Sequence, residues 1–143
     1  MKHLTKNLIS FAIFFVIGGL IFRYGLSHFL ENRMFTMVWV LATIYFLYNF
    51  GIGWYFGKKD YESLPLFDIG FRFHLTTFLL FNIISEAWHY FGLLSVYENY
   101  QTNRLIAIYW GIGLLIHFVF YVIAQKNTIK GISKDDMFDW LRW

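Results

Sequence analysis

The chain of 143 residues is 58% apolar and 24% aromatic, with 15% charged residues and a net charge of +3. About a quarter charged is usual for a soluble domain, and a soluble protein of this size has too little interior to hide 18 Phe, 10 Tyr and 6 Trp. Lipid removes that difficulty because the outer surface can be as apolar as the core; no clustered basic face points to nucleic acid, and the absence of cysteine excludes a disulfide framework, a thiolate metal site and a cysteine nucleophile.

Four apolar stretches follow along the chain, at about 8–29, 34–57, 71–93 and 105–125. Each reaches the roughly 20 residues that span a hydrocarbon core. The expected fold is therefore all-α: a single membrane domain, a compact bundle of four transmembrane helices made of two hairpins, 8–57 and 71–125. The first stretch follows Lys2 and Lys6 as a signal peptide would, but it is too long. Arg23 and Tyr24 stand where small residues would mark a cleavage site, so it reads as a retained helix.

With the N-terminus inside, nine Lys and Arg lie on the cytoplasmic side (Lys2, Lys6, Lys58, Lys59, Arg72, Lys126, Lys130, Lys134 and Arg142). Only Arg23, Arg33 and Arg104 fall outside or toward it, a positive-inside bias that puts both termini in the cytoplasm. The loop 58–70 contains Pro65, and Gly70 marks a turn before the third helix. In the tail 126–143, Ser133 and Asp136 fit a capping box and precede Met137, Phe138, Trp140 and Leu141, which predicts a short interfacial amphipathic helix anchored by Trp140 and Trp143. Asn32, Arg33 and Trp39 recur as Asn103, Arg104 and Trp110 at a constant offset, an echo of two related hairpins.

Ionisable groups inside a span are costly and face the bundle interior. At about 100° per residue, His74, Asn82, Ser85, Glu86 and His89 share about a third of the circumference of the third helix, a stripe that must face other helices or a cavity. Matching faces combine small and polar residues: Ala12, Val16, Gly19 and Arg23 on the first helix; Ala42, Tyr45, Asn49 and Gly53 on the second; Trp110, Gly113, His117 and Tyr121 on the fourth. Arg23 and Glu86 each lie fifteen residues from the inner end of their span, roughly 22 Å deep. Their common depth predicts an Arg23–Glu86 ion pair, with His89, Asn82 and Asn49 as further buried polar groups. Glu86 and His89 form a Glu-x-x-His pair, but a di-iron bundle needs that motif twice, so a structural hydrogen-bond network is expected there rather than a metal, with a mononuclear site shared with His28 as the alternative. His74 and His117, in the inner half, differ in depth by roughly 7 Å. They could ligate a b-type haem, hold a quinone head group or carry protons, or each could simply bond a backbone carbonyl.

The third helix reads FRFHLTTFLLFNII and the fourth YWGIGLLIHFVFYVI. His74 and Asn82 eight apart, followed by Trp110, Gly111, Gly113, Leu114 and His117, resemble the bacterial two-transmembrane (2TM) domain over roughly residues 70–127. The resemblance implies a bacterial inner (cytoplasmic) membrane and a sensing or scaffolding role, and it weights His74, Asn82, Trp110 and His117. This sequence departs from the family in carrying another hairpin in front and no soluble effector domain, so an output through a DNA-binding domain of its own is not expected. The leading reading is a non-enzymatic subunit, sensor or scaffold whose partners are membrane lipids and other membrane proteins, copies of itself included. A haem- or quinone-using redox or proton-handling protein is the alternative, and an oligomeric channel or transporter comes third.

Overall fold

The computed structural model describes residues 4–63 and 69–131, which form four helices: α1 (Lys6–Glu31), α2 (Phe35–Ser63), α3 (Ile69–Tyr90) and α4 (Tyr100–Gly131). Each helix runs past the apolar stretch that announces it at one end or both. α2 continues six residues past Gly57 through a Lys58–Glu62 pair one turn apart at 3.8 Å and a buried Asp60. α1, α2 and α4 are long and apolar enough to cross a membrane; α3, interrupted by its polar residues, is not. Residues 132–143, with the expected interfacial helix, and the loop proline Pro65 lie outside the described residues.

Two tight turns set the topology. After α1, Met34 N–H bonds the Phe29 carbonyl (2.8 Å) and Arg33 N–H the Leu30 carbonyl (2.9 Å). After α3, Leu93 N–H bonds Trp88 and Gly92 N–H bonds His89, both at 3.0 Å. Each is a Schellman motif, which needs a left-handed residue just past the helix. Gly92 supplies it freely at φ 65°, whereas Arg33 adopts φ 56° at a steric cost. Its side chain is held there, Nε donating to the Tyr97 hydroxyl at 2.8 Å with the guanidinium over the ring.

α1 and α2 form an antiparallel pair fixed by aromatic contacts. Phe22 stacks on Tyr45 (4.2 Å between centroids), and the Tyr48 hydroxyl donates to the Phe14 carbonyl at 2.7 Å. Gly18 lets the Tyr48 ring lie against the α1 backbone, where a Cβ would collide with it. α3 runs parallel to α1, with Phe11 against Phe73 (4.8 Å) and Gly19 beneath Ile84. The core is the cluster Leu8, Phe11, Phe15, Ile69 and Phe73 at one end of this three-helix unit. α1 thus buries Phe11 and Phe15 in place of the expected Ala12 and Val16, while Gly19 and Arg23 face inward as expected.

The expected compact four-helix bundle is not closed. Among the described residues α4 packs on α3 alone, antiparallel to it, touching neither α1 nor α2. Phe78 and Phe81 meet Trp110, and Phe78 approaches Gly111, not the expected Gly113, which is open. An apolar helix in lipid has no hydrophobic incentive to close a ring. The repeat of Asn-Arg and Trp falls in unlike settings, since Asn32 and Arg33 form a turn and Asn103 and Arg104 lie within α4.

Candidate functional site

Three polar clusters stand out, one at each end of the core and one along the α3–α4 seam. At the end where α1 begins, Thr5 caps α1 by accepting from Leu8 N–H at 3.0 Å. Asp60 of α2 accepts from the Thr5 hydroxyl and from Asn7 Nδ2 at 2.8 Å. Its carboxylate is 4% exposed and lies at the positive end of the α1 dipole, which stabilises a buried negative charge.

At the opposite end the segment between α3 and α4 folds back over α1. Arg23, 4% exposed, places Nη2 3.0 Å from Glu98 Oε2. Glu98 Oε1 accepts from the Ser27 hydroxyl (2.6 Å) and the Ser95 N–H (3.3 Å), and Trp88 Nε1 donates to Ser27 Oγ (3.0 Å). Ser95 Oγ donates to Glu31 at 2.8 Å, tying the segment to α1 a second time. The partner of Arg23 is therefore Glu98 and not Glu86. Glu86 projects from the other side of α3, exposed, and accepts from the Tyr100 hydroxyl at 2.8 Å. The equal-depth argument fails because a loop carboxylate reaches the guanidinium and the α3 stripe turns away. Helical periodicity places Ser27 one turn past Arg23 and Trp88 one turn past Ile84, but it carries no signal for Glu98 or Ser95 between α3 and α4, where an acid among few acids in a short loop was the one clue.

His74, Glu86 and His89 of the α3 stripe do face another helix, α4, while Ser85 turns to the core. The core side of α3 carries Ile69, Phe73, Ile84 and Ser85. On the seam, His89 stacks on Tyr100 (3.8 Å between centroids), and the Arg104 guanidinium lies over the same Tyr100 ring, with Nε donating to its hydroxyl at 3.1 Å. One helix covers only one side, so Glu86 and His89 stay exposed and the expectation that they are buried is corrected. Asn82 and Asn49 are half-buried, each donating from Nδ2 to the carbonyl four residues back in its own helix at 2.7 Å (Phe78 and Tyr45).

Toward the other end of the seam, His74 and His117 come together, with ring centroids 5.5 Å apart and planes at 63°. Phe71 packs edge-on against His117 and stacks flat on Tyr121 at 5.8 Å. Both imidazoles are exposed beside this aromatic wall. Among the described residues no set of three or more His, Asp or Glu converges as a metal cluster. An apolar groove of about 370 Å³ runs along α1, lined by Leu8, Ala12, Val16 and Thr76 among others, on another side of α3 from the histidines. No model of a protein family, no curated protein and no solved structure matches the chain.

Proposed function

We propose that this chain crosses the bilayer four times with both termini cytoplasmic, and that it works as a subunit, sensor or scaffold through helix–helix contacts within the membrane. The observation that carries the reading is the docking of α4 on α3 alone, which leaves most of α4 and the outer face of α2 open to other helices. α3 has neighbours on two sides, yet His74, Glu86 and His89 stay exposed on it, and polar groups in lipid call for a further neighbour there. The resemblance of α3 and α4 to the 2TM domain, and with it a bacterial inner membrane, belongs to the same proposal. A photo-crosslinking residue at Leu115 or Phe120, on the open face of α4, tests it in native membranes. Adducts to a discrete protein, a second copy included, support the module; adducts to lipid alone contradict it.

A redox or proton-handling protein built on His74 and His117 is the second reading, favoured by the approach of the two rings. An absorption spectrum of the purified protein showing haem or quinone would support it. A colourless protein whose histidine variants behave as wild type would remove it.

A further inference from the structure

We propose that His74 and His117 form a two-imidazole site for one borderline divalent transition-metal ion, with zinc as the reference ion. The two side chains come from different helices, yet their rings stand 5.5 Å apart. Two imidazoles bound to one tetrahedral ion through bonds of about 2.0–2.1 Å stand with centroids about 5 Å apart, so the spacing is already close to a chelating one. A haem would instead need its macrocycle between the two rings, with one nitrogen of each pointing at the iron from opposite faces.

Among the described residues neither ring makes a hydrogen bond; their only neighbours of note are rings. An imidazole without a polar partner is costly in an apolar setting, and two of them side by side cannot relieve the cost by both taking up protons. One shared cation satisfies a nitrogen lone pair on each. Imidazole selects zinc, copper, nickel or iron over magnesium and calcium, which require oxygen ligands. No third His, Asp or Glu of the described residues joins the pair. With two ligands from the described residues, the other coordination positions are filled from outside that set, by water or an external ligand in the simplest case. The rigid part of the site is the seam itself: the flat Phe71–Tyr121 stack and the edge-on Phe78–Trp110 contact hold α3 and α4 in register on both sides of the pair.

The proposal rests on the pairing of two histidines and is independent of lateral association. Its test uses the full-length protein in lipid nanodiscs, stripped with chelator and titrated with zinc, in a background carrying His3→Ala, His28→Ala and His89→Ala. One zinc per chain is expected, and His74→Ala or His117→Ala should each weaken binding at least about tenfold, a ligand being worth no less than the groups that support it. Cobalt(II) added to the otherwise unmodified protein should give visible d–d bands of a nitrogen-ligated ion that zinc displaces, a reading that needs no variant to fold. Absence of both signals, or zinc uptake unchanged by the two substitutions, overturns the site. A haem spectrum without zinc uptake overturns it as well and returns the pair to the haem reading.

Discussion

α1 and α4 are both long, apolar helices, yet they are packed in opposite ways. α1 touches both α2 and α3 and buries Leu8, Phe11, Phe15, Gly19 and Arg23. α4 touches α3 alone, and none of its described side chains is buried. Apolar content does not separate them, since both are apolar enough to span a bilayer. The difference lies in a few contacts that lipid cannot replace. α1 has glycines against which Tyr48 and Ile84 close in, a guanidinium met by Glu98, and an N-terminus met by Asp60. α4 has Gly111 against Phe78, two histidine contacts and an aromatic seam. Where both lipid and protein are apolar, close packing and polar contacts decide which helices associate.

The comparison is broken most forcefully at its charged contact. Glu98→Ala leaves Arg23 buried without its counter-charge and is expected to lose about 3–5 kcal/mol of stability. Glu86→Ala, on the exposed seam, should change stability by less than about 0.5 kcal/mol. Unfolding in mixed micelles measures both. The glycines come next. Gly18→Ala forces the Tyr48 ring off the α1 backbone while its hydroxyl is tied to Phe14, an overpacking cost of about 1–3 kcal/mol. Gly113→Ala meets open space in α4 and should be neutral or stabilise by up to about 1 kcal/mol. Equal effects at the two positions would erase the contrast between the helices. Asp60→Ala removes the acceptor for Thr5 and Asn7 at the start of α1, a loss of about 1–2 kcal/mol that amide exchange over the first turn should localise. Smallest of all, Phe120→Ala on the open face of α4 should alter the stability of the isolated chain by less than about 0.5 kcal/mol, yet weaken the crosslinks expected from that face.

Three long apolar helices, and a helix in the third stretch, were legible because apolar length is a strong signal, although the polar residues of α3 keep it short of an apolar span. The inward direction of Gly19 and Arg23 was legible too. The helix ends were less so, because Asp60 and the residues around it look like a polar loop until Thr5 and Asn7 are brought to them. The pairing of His74 with His117 could be anticipated from similar depth on adjacent helices. The Arg23–Glu86 pair could not be ruled out by the same reasoning, because depth without facing direction leaves several partners open. The inward face of α4 was legible, since Trp110, His117 and Tyr121 of its expected stripe meet α3 and only Gly113 is open; what the stripe could not tell is that α3 alone would cover it.

The direct test of the central claim, that specific polar contacts assemble this core, is a double-mutant cycle at Arg23 and Glu98 in lipid. Arg23→Met, Glu98→Gln and the pair together are compared by their free energies of unfolding, with Arg23→Met and Glu86→Gln as a parallel cycle. A coupling of at least about 1 kcal/mol between Arg23 and Glu98, and none between Arg23 and Glu86, is the predicted result. Additive losses at Arg23 and Glu98, or coupling to Glu86 instead, would contradict it.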